Sequence, residues 1–120
     1  MKTIQINRPV LQSLYGDSTE SMSEVFLQFL NFHSEMRENL ASSYNSGNIV
    51  LLKKVLHHHG PSFMYLGMPV VSDCFKDLEE QCKHGFDPSS ISTRFDVLLQ
   101  YVDQSRQMIA NELESLKKAA

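Results

Sequence analysis

No apolar run in the sequence approaches the ~20 residues that a bilayer-spanning helix needs, and the opening Met1-Lys2-Thr3-Ile4-Gln5 has no signal-peptide apolar core. The expected compartment is therefore the cytoplasm, without membrane insertion. Neither sign of charge is in large excess: 14 Asp and Glu stand against 11 Lys and Arg, a formal net charge of -3. That balance gives no electrostatic reason to expect nucleic acid or an anionic membrane as partner. Cysteine is scarce. Cys74 and Cys82 are eight apart within one expected helix, a spacing of ~12 Å along the axis and too long for a disulfide. Both are expected as reduced thiols, one or both packed as small hydrophobes. No stretch alternates for long as a strand would, and there is no internal repeat or low-complexity segment. An ATP-binding motif is missing too, so autokinase activity is not expected.

What is present is helical. The 120 residues suffice for one compact domain, 1–120, and a hydrophobic content of 42% can fill its core. Residues 1–6 are expected as a loose N-terminal arm. Asn7 can cap a short helix through Tyr15, with Pro9 in its first turn and Gly16 closing it. Asp17 or Ser18 caps a long second helix whose apolar face is Met22, Val25, Phe26, Phe29, Leu30, His33, Met36 and Leu40. Asn45-Ser46-Gly47-Asn48 is a turn, and Asn48 can cap a third helix that ends at Gly67. Pro69 opens a fourth, to about Lys83, with Val71, Cys74, Phe75, Leu78 and Cys82 inward. Asp87-Pro88 starts the last, lined by Ile91, Phe95, Leu98, Val102, Ile109, Leu113 and Leu116 and interrupted by Ser105. Short connections make neighbours antiparallel. The expected fold is all-α, an up-down antiparallel four-helix bundle with a short extra N-terminal helix across one end.

The third helix carries three consecutive histidines. Leu52, Val55, Phe63 and Leu66 mark its inward stripe, and His59 falls on that stripe. His57 lies ~200° from Val55 and His59 on an ideal helix, on the wet face, with His58 on a flank. His57 is thus expected exposed and His59 largely buried. Pro61 has no N–H for the His57 carbonyl four residues back, so a kinked helix continuing to about Leu66 is expected. Metal ligation is the competing chemistry. Two-histidine sites on a helix want spacings of three or four, whereas these three diverge, and no Glu-x-x-His pair accompanies a His33–His59 approach. No metal site is expected, and His33 and His84 carry no expected role.

The stretch Leu52-Lys53-Lys54-Val55-Leu56-His57, with Ser62 and Leu66-Gly67 downstream, resembles the signature of histidine-containing phosphotransfer (HPt) domains of bacterial and eukaryotic phosphorelays. In that family the phosphorylated His is followed by an apolar residue, Lys, Gly and Ser, then by an apolar residue and a Gly ten positions after the His. Counting back from Gly67 reaches His57. The likeness extends to Leu11-Gln12-Ser13-Leu14-Tyr15-Gly16-Asp17, to Phe26-Leu27-Gln28-Phe29-Leu30, and to Leu66-Gly67-Met68-Pro69 with Leu78-Glu79-Glu80. It spans roughly residues 9 to 116.

The resemblance implies a phosphocarrier without autokinase activity. His57 takes a phosphoryl group from a receiver-domain aspartate and passes it to another receiver. Implied partners are response-regulator receiver domains and a hybrid sensor histidine kinase. No cofactor is implied, Mg²⁺ being expected only in the receiver. The chain departs from the signature at three places: the family Lys is Gly60, the family Gly is Pro61, and an apolar position is His59. Lys53 and Lys54, one turn before His57, are the expected substitutes for the missing cation. His58 and Ser62 are expected to donate hydrogen bonds nearby, and Gly60, Pro61 and Met64 to contact the partner. The alternative is a noncatalytic interaction module of the same fold with a degenerate site.

Overall fold

The computed structural model describes residues 4–85 and 87–119. The helices are α1 (Arg8–Tyr15), α2 (Thr19–Asn45), α3 (Ile49–His59), α4 (Ser62–Tyr65), α5 (Pro69–Lys83) and α6 (Ser92–Ala119), with a 3₁₀ turn, Pro88–Ile91, before α6. The caps follow from side-chain chemistry. Asn7 accepts a hydrogen bond from the Val10 N–H, Ser18 from Ser21, Asn48 from Leu51 and Asp87 from Ser89. Each satisfies a backbone donor that the first helical turn leaves without a carbonyl partner. At the second helix Ser18, not Asp17, is the cap; at the last, Asp87 caps the 3₁₀ turn, and the α-helix proper begins at Ser92.

The four-helix bundle is made of α2, α3–α4, α5 and α6, and α1 lies across one end. α3 packs against α5 and α2, and α6 packs against α2 and α5, so each has two neighbours around a shared core. Phe26, Leu40, Leu52, Leu56, Phe63, Phe75, Leu98 and Ile109 are among its fully buried side chains. Removing one such side chain to Ala typically costs about 2–5 kcal/mol. At the centre the Phe63 ring meets Phe29 edge-on at 5.5 Å and stacks on Phe75 at 5.2 Å, tying α4 to α2 and α5. Ser105, the polar interruption in the last helix, is buried because its hydroxyl donates to the Tyr101 carbonyl one turn back, at 2.6 Å.

Where a loose arm is expected over residues 1–6, the described part, residues 4–6, is packed. Residues 1–3 lie outside the described residues. Ile4 is in the core, Ile6 packs against it, and the Asn7 N–H donates to the Gly67 carbonyl at 2.6 Å. Apolar side chains at 4 and 6 hold the segment on the core, and the Asn7 bond fixes its end where α4 turns into α5. Gly67 is required there twice over. Its φ is +71°, and a Cβ on it would lie 2.7 Å from Leu11 Cγ. The glycine at the end of the signature is thus the seat of α1. Tyr15 adds a hydrogen bond from its hydroxyl to the Tyr65 carbonyl at 2.7 Å, and Arg8 grips Glu112 of α6 with two.

The third helix is also divided. The continuous kinked helix expected to reach Leu66 is an α-helix ending at His59 and a single turn, Ser62–Tyr65. Gly60 and Pro61 between them keep right-handed helical dihedrals. The bonding tightens, with Phe63 N–H donating to the Gly60 carbonyl and Met64 N–H to that of Pro61, each three residues back. The missing proline N–H removes the bond four residues back to His57, and the chain replaces α-type with 3₁₀-type bonding.

Candidate functional site

α3 runs antiparallel to α5, and three pairs give the register. Lys53 is close enough to Cys82 for its charge to act on the thiol. His57 Nδ1 is 2.8 Å from Glu79 Oε1. Gly60 faces Phe75, whose Cβ would be 2.9 Å from a Cβ placed on the glycine. This register corrects the expected inward stripe. The buried positions are Leu52, Leu56, Gly60, Phe63 and Leu66. Val55 is only partly buried, and so is His59, expected to be largely buried. Gly60 is in the core seam, not on the surface, so it is no partner-contact residue. Its lack of a side chain is what lets α3 and α5 approach.

His57 is exposed, its side chain 75% accessible, beside α5 rather than facing away from the bundle. Glu79 is only 16% accessible, so its carboxylate is held against the seam as it receives the imidazole. A carboxylate has no proton to give, so Nδ1 is the N–H donor, and Nε2 of the neutral ring carries the lone pair. Glu79 therefore fixes both ring orientation and tautomer. It carried no expected role. Spacing along one helix could not reveal it, because the contact spans 22 residues of sequence and depends on the helix register.

A cavity of about 360 Å³ opens beside His57. It is lined by Leu56, His57, Gly60, Pro61 and Phe75 with Lys76, Glu79, Glu80 and Lys83 from α5. Lys83 and His84 both reach Glu80, at 3.5 and 3.4 Å. Lys53 and Lys54 do not line this cavity; Lys53 is half-buried toward Cys82 and Lys54 is exposed. Burial, then Glu79, pushes the Cys82 thiol up, while Lys53 opposes the shift.

His58 and Ser62 belong to a different groove, of about 500 Å³, between α2 and α3–α4. They line it with His59, Tyr65, Phe29, Phe32 and Glu35 among others. The His58 and His59 rings meet edge-on at 4.8 Å, and burial, then the neighbouring His58, pushes His59 down from the ordinary histidine value. The structure thus parts the expected supporting set. Pro61 stays beside His57, whereas His58 and Ser62 face α2. Met64 is exposed, 37% accessible, and lines neither cavity. His33 is buried with Nε2 3.2 Å from Asp103 of α6, so it does not pair with His59. No described helix is long and apolar enough to cross a membrane.

Neither a family model nor a curated protein matches the sequence. Solved structures do. The HPT domain of a sensor hybrid histidine kinase from Shewanella superposes with a TM-score of 0.79 at 14% identity, over 90% of this chain and 92% of that one. Histidine-containing phosphotransfer protein B (HptB) from Pseudomonas aeruginosa PAO1 does so with a TM-score of 0.72 at 16% identity, over 96% of both chains. A backbone shared over nearly the full length of both establishes that the chain has the fold of histidine-containing phosphotransfer domains.

Proposed function

We propose that the protein is a phosphorelay intermediate that accepts a phosphoryl group on His57 Nε2 from the aspartyl phosphate of a receiver domain and hands it to another receiver. The observation that carries this reading is the exposed imidazole whose Nδ1–H is held by Glu79 at 2.8 Å. The Nε2 lone pair attacks phosphorus in line, the Nε2–P bond forms, the acyl P–O bond breaks, and the aspartate leaves as carboxylate. The ring keeps its Nδ1 proton, and the positive charge it gains lies against the Glu79 carboxylate. Return of the group to a second aspartate reverses these changes. A receiver would bring Mg²⁺ and its own acidic pocket; the bundle supplies position and charge. Pro61 is exposed beside the nucleophile, and Met64 is exposed farther along the same segment; both suit contact with a receiver. The reading has the protein working in the cytoplasm with hybrid sensor kinases and response regulators.

Incubation with a phosphorylated receiver tests it. Acid-labile, alkali-stable phosphate should appear on the wild type and His58→Gln and be absent from His57→Gln. Circular dichroism should show the same fold in all three, since both histidines are exposed and lie outside the core. Transfer that survives in His57→Gln and disappears in His58→Gln would move the site to the α2 groove. No transfer to the wild type, from receivers or from small phosphodonors, would leave the noncatalytic interaction module, which the Gly60-Pro61 departure from the signature favours.

A further inference from the structure

We infer that Lys76 of α5 supplies the cation that stabilises the phosphoryl group on His57, replacing from a neighbouring helix the lysine that the signature places at position 60. This inference rests on the carrier reading of His57.

The first observation is that position 60 cannot hold the lysine. A Cβ there would lie 2.9 Å from Phe75 Cβ and 3.1 Å from the Leu56 carbonyl oxygen. The obstructing atom is the first carbon of a buried side chain, with no torsion to swing it away. The second observation is register. Gly60 faces Phe75 and His57 pairs with Glu79, so Lys76 is beside the residue opposite the vacated position and one turn from the carboxylate that orients the nucleophile. The third is that Lys76 lines the His57 cavity, as neither Lys53 nor Lys54 does. The fourth is availability. Lys83 also lines the cavity but is paired with Glu80. Lys76 is exposed and has no hydrogen bond or ion pair among the described residues. A long, flexible ammonium on that row can follow the phosphoryl oxygens as charge develops on them, without any covalent part in the step.

The test uses the full chain and phosphoramidate, a small donor that needs no cognate receiver. Its P–N bond breaks, ammonia leaves, and the Nε2–P bond forms on His57. Rates of phosphohistidine formation are compared for wild type, Lys76→Ala, Lys76→Arg and Lys54→Ala, with circular dichroism as the folding control. Lys76→Ala should be about five- to tenfold slower, the effect of one cation a few ångströms from an anion at a surface site. Lys76→Arg should stay within about twofold of wild type, and the wild-type rate should fall more steeply with salt than that of Lys76→Ala. Equal rates for wild type and Lys76→Ala would overturn the inference and leave the carrier reading standing. So would equal slowing in Lys76→Ala and Lys76→Arg, since charge would then not be what matters, or slowing confined to Lys54→Ala. A wild type that accepts phosphate from neither receivers nor phosphoramidate would overturn both readings.

Discussion

Gly60→Ala sets two physical effects against each other, and their sizes decide the outcome. The backbone at Gly60 is right-handed helical, with φ -55° and ψ -48°. On that ground alone, alanine should stabilise the protein by about 0.4–1 kcal/mol, by restricting the unfolded chain and favouring helix. Packing opposes this. Carbon atoms in contact prefer about 3.5–4.0 Å, and the added methyl would lie 2.9 Å from Phe75 Cβ and 3.4 Å from Phe75 Cγ. Phe75 cannot turn aside, because its ring is stacked on Phe63, which in turn meets Phe29. Relief requires α3 and α5 to move apart over the seam that also carries the His57–Glu79 bond. Overpacking of this kind costs roughly 1–3 kcal/mol. The net expectation is a loss of about 1–2 kcal/mol, or roughly 4–8 °C in Tm for a domain of this size. Urea and thermal unfolding of wild type and Gly60→Ala, followed by circular dichroism, measure it. Gly60→Lys carries the same Cβ and should lose at least as much, without gaining phosphoryl acceptance. An unchanged or raised Tm in Gly60→Ala would refute the close approach of the two helices and, with it, the argument that position 60 excludes the signature lysine.

Two further outcomes concern titratable groups shifted by burial, Cys74 partly buried and His33 buried. Burial pushes the Cys74 thiol up to about 11, with Asp77 adding to the shift and Arg94 opposing it; alkylation of Cys74 in the native protein, followed by peptide mass spectrometry, should therefore be very slow at pH 7 and accelerate only toward pH 10–11, and rapid modification at pH 7 would contradict the burial. Burial also pushes His33 below the ordinary histidine value, against the pull of Asp103 and with Arg106 and Arg37 adding to the depression. Below pH ~6.5 the unfolded chain then binds the proton more readily than the native one. The stability this neutral histidine contributes is complete above that pH and is lost as pH falls through the lower native value. Urea midpoints should drop between pH 7.5 and 5.5, and less so in His33→Phe; equal slopes in the two proteins would remove His33 from the account.

The features legible in the sequence are local ones. Asn7, Ser18, Asn48 and Asp87 precede their helices with a side-chain acceptor, and the hydrogen bond each makes needs only the next few residues. The apolar faces of the second, fourth and last helices were readable for the same reason. In the third helix the buried stripe is one position away from the one that periodicity suggests. Leu52, Val55, His59 and Phe63 satisfy helical spacing, and so do Leu52, Leu56, Gly60 and Phe63. The second set is the buried one. Hydrophobicity could not choose it, because a glycine buried to let two helices touch carries no apolar signal. The exposure of His57 is the same under both, since it lies outside either stripe. The expected supporting groups lie elsewhere: His58 and Ser62 line the α2 groove, and neither Lys53 nor Lys54 lines the His57 cavity. Glu79 and Lys76 become neighbours of His57 only through the antiparallel register of α3 and α5, which depends on Gly60 meeting Phe75.

That dependence bears on whether the altered signature disables the site. Gly60 and Pro61 follow His57 in the chain, and their effects run forward. Up to Gly60, whose N–H donates to the Leu56 carbonyl, α3 keeps α-type bonds, so the turn that aims His57 is regular. Just beyond it the bonds from Phe63 and Met64 shorten to three residues, and a 3₁₀ step turns each residue by about 120° instead of about 100°. The extra rotation acts on Phe63 and Met64, helping to bring the Phe63 ring between Phe29 and Phe75, and leaves the histidine alone. A phosphoryl acceptor of this kind needs an accessible nitrogen, a fixed tautomer and a nearby cation. α3 supplies the first before the irregularity begins, Glu79 the second, and α5 carries lysines in position for the third. None of the three requires a side chain at position 60 or an N–H at position 61, so loss of the lysine and glycine from the signature is compatible with retention of its chemistry.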